Sequence, residues 1–241
     1  MIKDADIREP LFEYLETSYG KVRILEEKNT GMSRADVVMV VENALYGIEI
    51  KSDADTYARL ASQVKDYDKF YDRNIVVVGS SHAMHIDEHV PEYWGIISVE
   101  EIDGALDFYV KREPKDNPKA NLKNKLSFLW RPELAILQEL NDMPKYKEKS
   151  KAFVIDRIVE RTEYEKNIKG YIDKNRLDYQ ISHLLFERDY NTIAETIKNY
   201  RKNELQKKID RENDPDKKLK LLKKQSGIRK KRVKRRRRKA L

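Results

Sequence analysis

At 241 residues with 39% hydrophobic content, the chain can bury a core in part of its length, as one large or two small domains. No apolar run approaches the roughly 20 residues that span a bilayer, and Met1–Gly20 lacks the basic start and apolar middle of a signal peptide. Cys is absent, which excludes disulfides and thiolate metal sites, so the expectation is a cytoplasmic protein with no membrane partner.

The net charge of +8 hides an asymmetry. Residues 201–241 hold 20 Lys and Arg against 5 Asp and Glu, leaving 30 against 37 in residues 1–200. An acidic body carries a strongly basic tail that ends in RKKRVKRRRRKA. Such a tail buries too little apolar surface to fold alone. Its Lys230, Lys231, Arg232, Lys234, Arg235, Arg236, Arg237 and Arg238 are expected to contact nucleic-acid phosphates without sequence preference. The alternative is a solvated tail.

In chain order, Asp4–Tyr19 places Ile7, Leu11, Tyr14 and Leu15 at helical spacing, and Gly20 ends the helix. Lys21–Glu27 reads as a strand. Ala35–Val41 and Leu45–Lys51 follow as a hairpin around Glu42-Asn43. Ser52 or Asp53 is expected to cap a helix reaching about Asp72, with Tyr57, Leu60, Val64, Tyr67 and Tyr71 on its buried stripe. Asn74–Gly79 is a buried strand, so a parallel strand–helix–strand crossover is expected. His82–His89 reads as a short helix, Trp94–Val99 as a strand and Leu106–Val110 as an edge strand. His82, His85 and His89 share one face of that helix. The pattern could be read as a zinc site, but no acidic or Cys partner is near in the sequence and surface or capping histidines explain it at less cost. Lys111–Lys125 reads as a linker or long surface loop. Helices are expected at Arg131–Asn141, Lys149–Arg161, Asp173–Phe186 and from Tyr190 onward.

The hairpin carries the chemistry. With Glu42 and Asn43 as the loop, facing positions sum to 85, so Asp36 lies opposite Glu49. Facing Cβ atoms are roughly 4.5–5.5 Å apart, close enough for two carboxylates to share a hard cation. Lys51, two residues on, shares their face. A solvated face is the simpler reading of three charges, but the flanking residues are apolar on both faces, which implies burial. Buried charges are costly unless paired or metal-bound.

Asp36, twelve intervening residues and Glu49-Ile50-Lys51 resemble the PD-(D/E)XK nuclease superfamily, with Ala35 where that family's name has Pro. Gln63-Val64-Lys65-Asp66-Tyr67 resembles the Gln-x-x-x-Tyr element of its RecB-like branches. The run Arg34-Ala35-Asp36, Glu49-Ile50-Lys51-Ser52-Asp53, Gln63, Val76-Val77-Val78, His82 and Pro91–Ile96 resembles a family of phage and bacterial proteins placed in that superfamily, over about residues 4–160.

The resemblance implies an α/β fold: a restriction-endonuclease-like mixed sheet (αβββαβ) over residues 1–112. A mainly helical region over 113–200 and the basic tail over 201–241 would follow. It implies a Mg²⁺- or Mn²⁺-dependent phosphodiesterase with Asp36, Glu49, Lys51 and Gln63 as catalytic residues. Asp36, Glu49 and the Ile50 carbonyl would be the metal ligands, and Tyr67 would lie at the nucleic-acid backbone. Members often draw another acidic ligand from the first helix; Glu9 and Glu13 are the candidates here, but neither lies on the apolar stripe, and a solvated Glu is the simpler reading. DNA is the expected substrate ahead of RNA, and a homodimer is compatible with the family. The rival reading is a nuclease-fold protein that binds nucleic acid without cutting it, as an accessory or phage structural component.

Overall fold

A computed structural model of the chain describes residues 2–189, 199, 202–203 and 205–225. Contacts divide the chain into two compact units, residues 1–187 and 188–241. In the second, Pro215–Gln225 is a helix. The expected contacts at Lys230–Arg238 lie outside the described residues.

The first unit is built on one six-stranded mixed sheet. Helix α1 (Asp4–Tyr19) leads into β1 (Arg23–Thr30), β2 (Ser33–Val41) and β3 (Ala44–Lys51), which form an antiparallel meander. Helix α2 (Leu60–Phe70) then carries the chain to β4 (Arg73–Gly79), parallel to β3. Strand β5 (Gly95–Ile102) is parallel to β4, and β6 (Ala105–Arg112) returns antiparallel to it. Spatial order equals chain order, β1 to β6. Helices α3 (Leu122–Leu126), α4 (Arg131–Leu140), α5 (Lys151–Thr162) and α6 (Lys174–Phe186) complete the unit.

Alternation along the strands creates two buried faces. Ile7, Leu11 and Leu15 of α1 join Val37, Met39, Ile48, Ile50, Ile75, Val77, Ile97 and Val99 in one cluster. The intervening residues face the other way. There Gly47 matters, because a Cβ at this position would stand 2.2 Å from the Tyr71 ring. Bare backbone lets that ring lie on the sheet, where its hydroxyl meets Thr30 Oγ1 at 2.6 Å.

Three expectations are corrected. The helix after β3 does not start at Ser52 or Asp53. Asp55 closes that segment by accepting from Ser52 N (2.9 Å) and Ser52 Oγ (2.6 Å), Tyr57–Arg59 makes one 3₁₀ turn, and α2 begins at Leu60. Asp53 instead accepts from Ser81 N and Oγ and from Ile2 N. Residues His82–His89 form turns with one 3₁₀ segment, Ile86–Glu88, so the histidines share no helix face. The rings of His82 and His89 pack on Tyr57, with centroids 4.8 and 4.2 Å away, and the side chain of His85 is exposed beside Glu88. Lys111–Lys125 is no loose linker: β6 runs to Arg112, and the segment is anchored by Asn117. The buried Asn117 amide donates to Asp68 O (2.9 Å) and Tyr71 O (2.7 Å).

The helices are tied to the sheet by Lys125. Its ammonium is buried and lies 2.7 Å from carboxylate oxygens of both Asp72 and Asp178, joining α3, the α2–β4 turn and α6. Removing the cation leaves two partly buried carboxylates facing each other. Lys125→Met is expected to lower unfolding free energy by about 2–4 kcal/mol, read as a lower urea midpoint; an unchanged midpoint would show that the clamp contributes nothing.

Candidate functional site

The β2–β3 register runs from Val41↔Ala44 to Val37↔Ile48, so facing positions sum to 85 as the turn predicts. One step further the strands part at Asp36. Its side chain takes the next donor, with Ile50 N–H donating to Asp36 Oδ2 at 3.0 Å. Asp36 and Glu49 thus meet on the α2 face of the sheet, where β3 ends.

Glu49 is 1% exposed, and its carboxylate is held by three donors. Lys51 Nζ lies 2.5 Å from Oε1, Gln63 Nε2 donates to the same oxygen, and Tyr67 Oη donates to Oε2 at 2.6 Å. Leu60, Val64 and Tyr67 pin α2 to the sheet and so set Gln63 above Glu49. Gln63 Oε1 is buried with no hydrogen-bond partner.

The Tyr67 hydroxyl also accepts from Asp36 N (3.3 Å). The Tyr67 side chain, expected at the nucleic-acid backbone, is fully buried in this structure, with its hydroxyl turned to Glu49 and to the backbone of Asp36. Burial first, then the Glu49 and Asp36 charges, pushes its phenol well above the ordinary range.

Asp36 is the electrostatically exposed member of the pair. Burial, with the Glu49 charge adding to it and the Ile50 N–H opposing, pushes its carboxyl up from 3.8 to about 7. Arg8 Nη2 is 3.6 Å from Asp36 Oδ1, and the same guanidinium holds Asp4 (2.9 Å) and Glu26 (3.4 Å). Glu9 and Glu13 are exposed, as the solvated reading of these α1 acids has it. It is Asp4 and Arg8, one turn apart in α1, that reach the cleft.

The cleft has a volume of about 650 Å³ and a mixed polar lining. Asp4, Glu27, Asp36, Glu49 and Asp55 supply negative charge, and Arg8, Arg34, Lys51 and Arg59 supply positive charge. Arg34 pairs with Glu27 at 3.2 Å. The lip is the β1–β2 turn, where Met32 is exposed. Asp66 of α2 fixes this turn by accepting from Met32 N (3.1 Å) and Ser33 Oγ (2.7 Å). Among the described residues no group of three or more His, Asp or Glu forms a metal cage. Two carboxylates with the Ile50 carbonyl would instead be the oxygen donors of a hard cation that keeps several waters, as Mg²⁺ does. The residues therefore fit such an ion.

Comparison with known proteins adds one result. A family model described as bacteriophage P4 protein cII matches residues 2–207. The chain belongs to that family. The match takes in the whole sheet, the Asp36–Glu49 cleft and helices α1–α6. Neither a curated protein nor a solved structure matches the chain. Within this family member the resemblance legible in the sequence rests on residues that the fold does bring together: Asp36, Glu49, Lys51 and Gln63. No helix among the described residues is long and apolar enough to cross a membrane.

The raised carboxyl of Asp36 gives a stability prediction. A folded-state value of about 7 against an ordinary 3.8 means that the fold prefers the neutral acid. That preference is fully expressed below about pH 4 and lost as pH rises through about 7. Asp36→Asn keeps an oxygen for Ile50 N–H and removes the charge. In metal-free buffer it is expected to raise Tm by a few degrees at pH 8, where about 1–3 kcal/mol is recovered, by less at pH 5, and hardly at all below about pH 4. A lower Tm at pH 8 would overturn this electrostatic account.

Proposed function

We propose that this member of the P4 cII family is a metal-dependent nuclease of the PD-(D/E)XK type that hydrolyses phosphodiester bonds, DNA ahead of RNA. The observation that carries the reading is the meeting of Asp36 and Glu49 on adjoining strands with Lys51 and the unpartnered Gln63 Oε1 beside them. Two desolvated carboxylates side by side are costly for stability, and such costs persist where chemistry needs them.

Asp36 and Glu49, with the Ile50 carbonyl, would hold Mg²⁺ or Mn²⁺. When bound, the ion supplies Lewis acidity toward a phosphate oxygen and lowers the pKa of water. The chain's own groups do the rest. Lys51 offers an ammonium to the charge that develops on the phosphate, and Gln63 Oε1 is placed to accept from a water. Tyr67 fixes Glu49 through Oε2 and the start of β2 through Asp36 N. Arg34 and Arg59 at the cleft wall would meet neighbouring phosphates. The basic segment after residue 200 would raise local substrate concentration around an acidic body.

One observation favours the rival, a protein that binds without cutting. Glu49 already has three donors on its two oxygens, as a purely structural acid would. The two readings separate in one experiment. Labelled single-stranded, duplex and branched DNA and RNA are incubated with the full chain in Mg²⁺, Mn²⁺ or EDTA. Cleavage that needs metal and falls at least ~100-fold in both Glu49→Ala and Lys51→Ala is expected. Binding with no metal-dependent cleavage of any substrate would establish the rival.

Tyr67→Phe tests the positioning role. Loss of its hydrogen bond to Glu49 is expected to cost about 10–100-fold in metal affinity or cleavage rate while nucleic-acid affinity measured in EDTA stays the same. A loss of nucleic-acid affinity instead would return Tyr67 to the polymer interface.

A further inference from the structure

Many cations in residues 1–187 have a carboxylate within 4 Å, among them Arg8, Arg34, Lys51, Lys69, Arg73, Lys111, Arg112, Lys119, Lys123, Lys125, Lys145 and Arg157. Three that are not so paired come together in one cleft. Arg161 at the end of α5, Lys169 in the following loop and Arg176 in the first turn of α6 line one cleft of about 650 Å³. None of the three has a carboxylate within salt-bridge distance among the described residues.

The cluster is built by the fold. Arg161 is half-buried and its Nη1 reaches Gly170 O at 3.4 Å, while its own carbonyl accepts from Ile172 N–H at 3.1 Å. A Cβ on Gly170 would stand 2.5 Å from that guanidinium, so glycine, at φ +94°, lets the loop close over it. Arg176 Nη2 donates to Leu140 O at 2.8 Å, a bond that fixes the side chain without neutralising it. Lys169 is exposed at the rim. Asp142 is the single acid in the lining, so the cleft carries a local excess of two positive charges. Met143 and Tyr171 supply less polar wall.

Two guanidiniums held by backbone carbonyls, with an ammonium at the rim, form a receptor for phosphate oxygens, because arginine forks pair with them in bidentate fashion. Three cations lining one cleft suit successive phosphates of a chain better than a single small anion. Residues 1–200 carry 30 basic against 37 acidic side chains, so a polyanion is drawn to the body where several cations gather with few acids beside them. We propose that the Arg161–Lys169–Arg176 cleft binds the phosphodiester backbone of a nucleic acid. The proposal does not depend on hydrolysis at the Asp36–Glu49 cleft.

The test measures binding of the full chain to fluorescein-labelled DNA by anisotropy, in EDTA, over a salt series. Lys169→Gln/Arg176→Gln is compared with Lys115→Gln/Lys147→Gln, a control that removes equal charge from other exposed positions. Thermal unfolding checks that both fold. Loss of two phosphate contacts is expected to make the plot of log affinity against log salt shallower by about 1.8, with a much smaller change in the control. Equal changes in the two pairs would mean bulk charge alone, and an unchanged slope would mean no contact; either overturns the proposal. A third arm titrates inorganic phosphate. If the first pair loses phosphate binding while its DNA isotherms match the parent's, the ligand is a small anion and the polynucleotide assignment falls.

Discussion

The placement of two carboxylates on the buried face of a β-hairpin governs the rest of the structure. Asp36 and Glu49 cannot both lie where they do without groups to oppose their charge, and each surrounding element supplies one. β3 supplies Lys51 and the Ile50 N–H, α2 supplies Gln63 and Tyr67, and α1 supplies Arg8. Three elements distant in sequence are thereby tied to one point. The balance is incomplete at Asp36, whose carboxyl is pushed up to about 7, and at Gln63 Oε1, which has no partner.

Much of this was legible in the sequence because the relevant signals are local. A two-residue turn with alternating hydrophobic residues fixes hairpin register, so Asp36 facing Glu49 follows from counting. The stripe Leu60, Val64, Tyr67 fixes which side of α2 meets the sheet, and hence that Gln63 borders it. The sheet itself follows from short apolar runs separated by turns. The mixed α/β architecture agrees with that reading.

What was not legible depends on tertiary distance or on competing local chemistry. Asp4 and Arg8 look like ordinary surface charges of α1, and only the packing of that helix on β2 and β3 brings its first turns to the cleft. Glu9 and Glu13 are equally good acids by composition but sit on the wrong side of the helix. Ser52 and Asp53 could each have capped a helix; the fold instead uses Asp55 to close a turn on Ser52 and Asp53 to hold the segment after β4. Asn117 reads as a linker residue, yet its amide satisfies two carbonyls at the end of α2. Tyr67 was recognisable as important, but its full burial depends on the Tyr71 and Trp94 rings packed around it.

Strand order has a kinetic consequence. Because β1 to β6 lie side by side in the order in which they are strung, every ladder joins consecutive strands, and three of the five joints are simple reversals. Loop closure for these reversals costs little entropy, so the meander β1–β3 can assemble from a short stretch of chain. The two parallel joints, β3 with β4 and β4 with β5, must wait for longer connections to close. The meander holds Asp36, Glu49 and Lys51 together before α2 exists to cover them. A nascent chain would therefore form its charged pair first and desolvate it later, when α2 docks and the β4 joint closes beside it.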